Sequence, residues 1–259
     1  MSSVTARIGK IKQPRGGYIK PSDFTAISLN DGKTLFEQEN VHATVVGLAV
    51  DYLTRFMSGS SLRDSFDISL LGVQRLALLG SKNILKVSEE LLRDIKGLDD
   101  TSIINACKMV TFDVWKRNMM GAMMAKTYSE TNPDKETIKN IRIMVERSIS
   151  FWEKYGPITE SGFTFGDGYT EIVNSGDGDY LTADTMWDFK VSKSKPTSKH
   201  TLQLLMYWIM GQHSGKSEFA NITKLGIFNP RLNTVYILDI KNVSKSTIEE
   251  IEKEVICYA

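Results

Sequence analysis

Cysteine and histidine are scarce in this sequence, and their scarcity excludes several kinds of site. Only two cysteines, Cys107 and Cys257, occur in 259 residues. A disulfide framework or a four-cysteine metal site is therefore excluded, and we expect a reducing, cytoplasmic environment. The three histidines, His42, His200 and His213, are too scattered to favour zinc chemistry, and we expect His200 and His213 to be polar residues at helix ends. The glycine motifs of phosphate loops and dinucleotide folds are also missing, so we expect no nucleotide cofactor.

Long apolar runs and an excess of one charge are missing as well. The longest uncharged stretch, residues 200–215, is too short to cross a bilayer, and the first residues lack the apolar core of a secretory signal. We therefore expect a soluble protein that is not in a membrane. Because 32 basic residues face 31 acidic ones, any attraction to nucleic acid must come from a local patch.

Changes of composition and periodicity divide the chain into four segments. They are a basic, partly extended N-terminal segment (1–39), a helical region (40–155), a region of short strands (156–243) and a C-terminal helix (244–259). One helix, at about 198–210, interrupts the short strands. This order predicts an α/β fold, in which a mixed sheet is flanked by helices and preceded by a largely helical N-terminal region.

Three details of the first half also lead to predictions. Asn40 is expected to cap the first helix of the helical region. Five basic residues and no acid lie from Arg7 to Lys20. They are either a solvated edge or an arm that contacts phosphates, and we favour the solvated edge. The methionines of 119–124 are either a soft binding surface or part of a core, and we favour a core within a helix over 101–128.

The candidate chemistry lies on one predicted hairpin. Side chains alternate along the strand predicted over 186–191, so Asp188 and Lys190 share one face while the aromatic residues beside them point to the other. A short turn before this strand brings Asp179 close to Asp188. Two carboxylates without a histidine suit a hard cation such as Mg²⁺ or Mn²⁺, and a nearby lysine suits a phosphodiester substrate. The alternative is a surface hairpin with an exposed salt bridge.

Further cations and a polar stripe follow this hairpin. Lys193, Lys195 and Lys199 are candidate nucleic-acid contacts in the loop before the next helix. On that helix Lys199, Gln203 and Tyr207 are spaced four apart and form one polar stripe. The stripe is either part of a site or an ordinary exposed face.

Taken together, these residues resemble the PD-(D/E)XK nuclease superfamily, in particular its RecB-like branch. The similarity covers about residues 158–242 and rests on Gly-x-Gly-Asp179, Trp-Asp188-Phe-Lys190 and Gln203-Leu-x-x-Tyr207. It implies a restriction-endonuclease-like core. It also implies these roles: Asp179 and Asp188 as metal ligands, the carbonyl of Phe189 completing the site, Lys190 as the catalytic lysine, and Gln203 and Tyr207 positioning DNA or the lysine.

The same resemblance implies a further acid or histidine from a helix before the sheet. Asp51 is the preferred match, and Glu160 and His42 are weaker ones. The function expected is that of a Mg²⁺- or Mn²⁺-dependent, exonuclease-like deoxyribonuclease that hydrolyses phosphodiester bonds. The alternatives are a non-catalytic nucleic-acid or protein-binding module on this fold, and a helical interaction protein whose surface is 60–150. A homo-oligomer or a protein partner through the helical region is also open.

Overall fold

A computed structural model describes residues 2–258, which form two compact units. The α/β unit comprises the residues up to Asn30 and those from Phe151 onward, and the helical unit comprises Asp31–Ser150. The strands are β1 (Ser2–Ser3), β2 (Thr25–Ser28), β3 (Glu160–Phe163), β4 (Val173–Ser175), β5 (Gly178–Leu181), β6 (Thr185–Phe189), β7 (Lys224–Asn229) and β8 (Thr234–Asp239). The helices are α1 (Val4–Lys10), α2 (Ala43–Met57), α3 (Leu62–Ser65), α4 (Asp67–Leu78), α5 (Asn83–Arg93), α6 (Asp100–Met109), α7 (Asp113–Arg117), α8 (Met119–Ala122), α9 (Lys135–Tyr155), α10 (Ser198–His213) and α11 (Lys245–Glu250), which continues as a π-helical turn over Ile251–Ile256.

A six-stranded mixed sheet is the centre of the α/β unit. Its strand order is β2-β8-β7-β6-β5-β3, and β1 pairs separately with β4. Only β6 and β7 pair in parallel within the six-stranded sheet, and α10 is the crossover between them. The predicted α/β fold, with a mixed sheet and flanking helices, is confirmed. Within the region of short strands predicted over 156–243, residues 169–172 are not a strand: Tyr169 follows a 3₁₀ turn and donates its hydroxyl to the carbonyl of Gly176 at 2.5 Å.

The two faces of this sheet bury different side chains. On one face Met186 and Ile227 join the apolar side of α10, including Leu205. On the other face Trp187 and Phe228 pack with aromatic residues from the end of α9. Because side chains alternate along β6, this division confirms that Asp188 lies on the α10 side of the sheet, opposite to Trp187.

The N-terminal segment is divided between the units: its residues up to Asn30 belong to the α/β unit, and 31–39 belong to the helical unit. Ser3 caps the N-terminus of helix α1, because its hydroxyl accepts a hydrogen bond from the N–H of Ala6 at 3.2 Å. Strand β2 forms an edge of the sheet by pairing with β8. Arg7 donates to the carbonyls of Val255 and Glu254, both at 2.9 Å, so this cation anchors the segment to the C-terminal turn.

The helical unit differs from three of the predictions, two of which concern where helices begin and end. His42, not Asn40, caps α2, because its ring nitrogen accepts from the N–H of Thr44, whereas the Asn40 side chain donates to the carbonyl of Asn132. The single helix predicted over 101–128 is also wrong. The chain leaves the helical conformation at Asn118 (φ −152°, ψ 85°), and the side chain of Asn118 then caps α8.

The methionine cluster is not part of a core, so that prediction is wrong too. Met120, Met123 and Met124 are 80%, 77% and 90% exposed. They follow the break at Asn118, so no second helix covers them within the described chain. Across residues 2–258, no helix combines the length and the apolar character needed to cross a membrane.

Candidate functional site

The hairpin of β5 and β6 brings the two predicted acids together. Tyr180 pairs with Trp187 and Leu181 with Met186, so the antiparallel register puts Asp179 opposite Asp188. The side chain of Asp179 accepts a hydrogen bond from the N–H of Phe189 at 2.7 Å. Cross-strand neighbours share a face, so the two carboxylates lie side by side.

The glycine before Asp179 has a packing reason. A Cβ atom at Gly178 would lie 2.1 Å from the ring of Phe163 on the neighbouring strand β3. No side chain fits there, so the Gly-Asp order lets β5 pair closely with β3 at the point where Asp179 enters the site. This part of the family-like motif therefore serves the backbone.

Asp188 is a buried carboxylate with one oxygen bonded and one oxygen without a partner. The residue is 3% exposed, and its Oδ1 lies 2.8 Å from the ammonium of Lys190. Its Oδ2 is buried and has no hydrogen-bond partner within the described chain. Such an atom costs about 1–3 kcal/mol or more for a charged group, so its retention needs an explanation.

The charges of Asp188 and Asp179 both raise the pKa of Lys190. Burial lowers the pKa of its ammonium, but the charges of Asp188 and Asp179 outweigh burial and hold the pKa above its ordinary value. Lys190 is therefore protonated at neutral pH. It can stabilise negative charge, and it is not suited to act as a base.

Helix α10 adds the polar stripe predicted from the sequence. Gln203 donates its Nε2–H to the hydroxyl oxygen of Tyr207 at 2.9 Å. Burial raises the pKa of Tyr207; the hydrogen bond from Gln203 opposes this, and the charges of Asp179 and Asp188 reinforce it. Tyr207 is 5% exposed. Gln203 and Tyr207 thus form the inner part of the stripe, close to the acids, whereas Lys199 is exposed. Tyr207 is a neutral phenol.

His200 is a member of this group that sequence reasoning missed. Burial lowers its pKa, the charge of Lys190 lowers it further, and Asp188 opposes both. Its Nδ1 accepts the N–H of Thr197 at 3.2 Å, so the helix-end role expected for it is also present. The available signal was its spacing of three and seven residues before Gln203 and Tyr207, which puts all three on one helix face.

The predicted phosphate contacts lie on the surface beside this group. Lys193, Lys195 and Lys199 are all exposed. The loop that carries the first two is held by Asn229, whose amide donates to the carbonyl of Ser192 at 2.8 Å. The basic N-terminal segment lies at the start of helix α10, next to this loop.

Two contacts hold the N-terminal segment against the start of α10. The hydroxyl of Thr201 donates to the carbonyl of Ile19 at 2.7 Å. Gly17 has φ +102°, and a Cβ atom on it would lie 2.5 Å from that of Ser198. Three exposed cations of the segment, Lys12, Arg15 and Lys20, therefore lie close in the fold to the loop lysines.

The remaining candidate ligands have other bonds or positions. Asp51 belongs to the helical unit, where Arg55 donates to both of its carboxylate oxygens at 3.1 and 2.9 Å. Glu160 is an exposed residue at the start of β3, and His42 caps α2. A ligand role for any of these, or for the carbonyl of Phe189, stays a prediction. Among residues 2–258, no three His, Cys, Asp or Glu side chains form a group that could hold a metal ion.

Comparisons of this chain with protein-family models, with curated proteins and with solved structures give no match.

Proposed function

We propose that the protein is a metal-dependent nuclease that hydrolyses DNA phosphodiester bonds, with exonuclease-like action. The observation that carries the proposal is the unpartnered Oδ2 of Asp188, buried beside Asp179 and Lys190. In a structural ion pair with all its hydrogen bonds made, no buried carboxylate oxygen would lack a partner. A carboxylate that binds a metal ion would have such an oxygen when the ion is not bound.

The donors in this group fit a hard divalent cation. Mg²⁺ or Mn²⁺ would be held by Asp179 and Asp188, with the carbonyl of Phe189 as the third ligand. Two carboxylates are sufficient, because Mg²⁺ usually keeps several waters and binds through one or two carboxylates together with substrate phosphates. When bound, the ion supplies Lewis-acid stabilisation and a more acidic water.

The residues around the acids supply the rest of the mechanism. Lys190 carries a fixed positive charge, which stabilises the negative charge that develops on the phosphate in the transition state. Tyr207 accepts from Gln203 and can donate its own proton to a phosphate oxygen. His200, with its lowered pKa, is neutral at neutral pH and can donate through Nε2. Because β6 and α10 belong to one packed core, these groups are held in place before substrate binds.

The DNA path would run over the cationic surface made by the loop lysines and the N-terminal segment. Six exposed cations carry it: Lys12, Arg15, Lys20, Lys193, Lys195 and Lys199. The chain as a whole has almost no net charge, so this local excess is what would attract a phosphate backbone.

The cleavage assay uses linear duplex, single-stranded and supercoiled circular DNA with Mg²⁺, Mn²⁺ or EDTA. The test variant is Asp188→Asn, and Asp184→Asn is the matched control, since Asp184 lies in the turn of the same hairpin and pairs with Lys224. We expect metal-dependent degradation that Asp188→Asn abolishes and Asp184→Asn keeps. Sparing of the circular substrate would support exonuclease action, and cleavage retained by Asp188→Asn would refute the assigned site.

Within the described residues, no third His, Cys, Asp or Glu side chain joins the two acids in a group that could hold a metal ion. This favours one second candidate, a non-catalytic nucleic-acid-binding module. Binding would be measured in EDTA as a function of salt. If the loop lysines contact phosphates, replacing Lys193, Lys195 and Lys199 with Ser lowers the slope of log K against log salt by roughly 2–3. The control replaces the exposed Lys241, Lys245 and Lys253. Binding without cleavage under every metal condition would select the module over the enzyme.

A further inference from the structure

The helical unit contains an apolar groove that the proposed nuclease site does not use. Its volume is about 450 Å³, and its walls come from α4, α5, α7 and the chain around and after α8. Leu76, Ile84, Val87, Trp115 and Tyr128 are among the residues that line it. A groove between helices with apolar walls is a common form of ligand or peptide site.

Exposed apolar side chains neighbour the lining residues of this groove along the chain. Of the eleven large apolar side chains that are exposed among the described residues, seven come from two short segments that also contribute lining residues. They are Leu78, Leu79, Leu85, Met119, Met120, Met123 and Met124. A concentration of this kind marks an interaction surface rather than random exposure. Methionine suits such a surface, because its flexible and polarisable side chain adapts to the shape of a bound partner.

Exposed cations outnumber exposed acids around the groove. Residues 68–88 and 114–129 contain six cations and no acid, although Asp67, Glu89, Asp113 and Glu130 flank these ranges. Asp113 is buried, Glu90 lies 3.9 Å from Lys86, and Glu130 accepts from Thr127 at the edge of the groove. The cations are Arg75, Lys82, Lys86, Lys116, Arg117 and Lys126, all exposed, and Lys126 itself lines the groove. An apolar floor with a basic rim is complementary to a helix that has one apolar face and acidic flanks.

We propose that this groove binds an acidic amphipathic helix of a partner protein. The apolar face of that helix lies on the groove and the methionines, and its carboxylates pair with the cations of the rim. The proposal is independent of the nuclease assignment, because it uses none of the residues of the α/β unit. It gives the helical unit a function as a recruitment surface.

Concavity distinguishes this partner from the other possible occupants. A membrane surface or a nucleic acid would need no hollow of this volume, and DNA would leave Leu76 and Trp115 without apolar contacts. A second copy of this chain would need an exposed acidic amphipathic helix. The one acidic helix at the C-terminus, α11 with its π-helical turn, already buries Ile251 and Val255 in the α/β core.

The test uses the full chain and a fluorescein-labelled helical probe of about five turns, roughly 18 residues. Leu occupies the positions of one face in the probe and Glu occupies the remainder. Two controls have the same length: one carries Lys in place of Glu, and the other has the Glu composition scrambled so that the leucines share no face. Fluorescence anisotropy should show saturable binding of the Glu probe, at least about tenfold tighter than either control. Protection from hydrogen exchange should be confined to 76–87 and 114–128.

Variants separate the groove from the rest of the surface. Met120→Glu with Met124→Glu should weaken binding of the Glu probe at least about tenfold without altering thermal unfolding, since both side chains are largely exposed. Met57→Glu is the matched control, an exposed methionine of the same unit outside the groove, and it should bind normally. Lys82→Glu with Lys126→Glu should reverse the preference toward the Lys probe.

Three results would overturn the proposal. The first is equal binding of all three probes, or none. The second is flotation of the protein with phosphatidylglycerol vesicles that the methionine variant loses, in the absence of probe binding. The third is concentration-dependent self-association through the same residues, measured by analytical ultracentrifugation and lost in Met120→Glu with Met124→Glu.

Discussion

Asp113 in the helical unit and Asp188 in the α/β unit are both nearly fully buried, at 2% and 3% exposure, and they are bonded in opposite ways. Each oxygen of Asp113 accepts a hydrogen bond from a hydroxyl group, one from Tyr52 and one from Ser69, and both O–O distances are 2.5 Å. Asp188 has one oxygen on Lys190 and one without a partner. Burial alone therefore does not distinguish a structural carboxylate from a functional one. The distinguishing property is whether both carboxylate oxygens have hydrogen-bond partners.

The surroundings of the two carboxylates agree with this distinction. Burial raises the pKa of Asp113, and the two hydroxyls and the partly exposed Arg117 oppose that effect. The hydroxyl network needs no further component. Around Asp188, a second acid, a lysine and a neutral phenol converge from β5, β6 and α10. Natural proteins keep an incompletely satisfied polar cluster mainly where a ligand or a reaction uses it.

The largest expected effect is on catalysis at Asp188. Replacing this acid with Asn removes a metal ligand, and the loss of several kcal/mol of transition-state stabilisation corresponds to at least about a thousandfold slower cleavage. The folded structure should persist, because Asn keeps the shape of the side chain and removes a buried carboxylate oxygen that has no hydrogen-bond partner. Initial rates on linear duplex DNA and thermal unfolding would be measured together. A fall in stability that accounts for the loss of activity would make Asp188 structural, like Asp113.

The second prediction concerns Asp113. Asp113→Ala leaves the hydroxyls of Tyr52 and Ser69 buried without an acceptor, so we expect the helical unit to lose about 2–4 kcal/mol of its free energy of unfolding. Urea denaturation monitored by circular dichroism measures this. Asp94→Ala, at the partly exposed C-terminal end of α5 in the same unit, should change little. Should Asp113→Asn fold normally and abolish cleavage, the contrast between the two aspartates would be wrong.

The third prediction sharpens the contrast through Lys190. Lys190→Ala leaves Asp188 buried without its cation, and we expect a loss of about 1–3 kcal/mol, less than for a fully enclosed pair because the lysine side chain is 29% exposed. The folded-state pKa of Lys190 is raised, so its contribution is complete below the unfolded value of about 10.4 and is lost as pH rises through the folded-state pKa. The stability gap should therefore be full at neutral pH and close only in strong alkali.

A divalent cation provides the control for this third prediction. Mg²⁺ should raise the melting temperature of Lys190→Ala, because the ion binds the folded state and replaces the missing positive charge. The same concentration should have no such effect on Asp188→Asn. If Mg²⁺ leaves the stability of wild type, Lys190→Ala and Asp188→Asn equally unchanged, the acids do not form a metal site.

The sequence was informative about the site because the site is local. Asp188, Lys190 and the alternation of β6 follow from a short strand, and Asp179 follows from the turn that precedes it. Gln203 and Tyr207 follow from helical spacing. The pairing of β2 with β8 could not be predicted, because it joins residues about two hundred positions apart and neither strand carries a mark of its partner.

The failures have a different physical cause. Met120 and Met124 look like core residues by composition, and their exposure depends on a helix break at one Asn and on the arrangement of the neighbouring helices. His200 looked like a helix-end residue because its hydrogen bond to Thr197 is local, whereas its closeness to Lys190 depends on how α10 crosses the sheet. Local patterns therefore predicted elements and short-range geometry, and burial at a distance needed the fold.

The smallest expected effect calibrates the comparison with an ion pair in which both carboxylate oxygens are bonded. In the helical unit Arg147 donates to both oxygens of Asp31 at 2.8 and 2.9 Å. The hydrogen bonds from Arg147 lower the pKa of Asp31 to about 2, more than burial raises it. A lowered folded-state pKa means that the pair stabilises the unit above the unfolded value of 3.8 and loses this effect as pH falls through about 2.

Asp31→Asn should therefore cost about 1 kcal/mol at neutral pH, discounted because Asp31 is partly exposed, and should cost almost nothing below pH 2. Urea denaturation at several pH values measures the difference. Glu146→Gln is the control, since Glu146 neighbours Arg147 on α9 and pairs with Lys33 on the surface. A loss at neutral pH as large as that for Asp113→Ala would mean that charge pairing and hydroxyl networks stabilise the unit equally. In that case bonding completeness, rather than the type of partner, would be the property that separates structural carboxylates from Asp188.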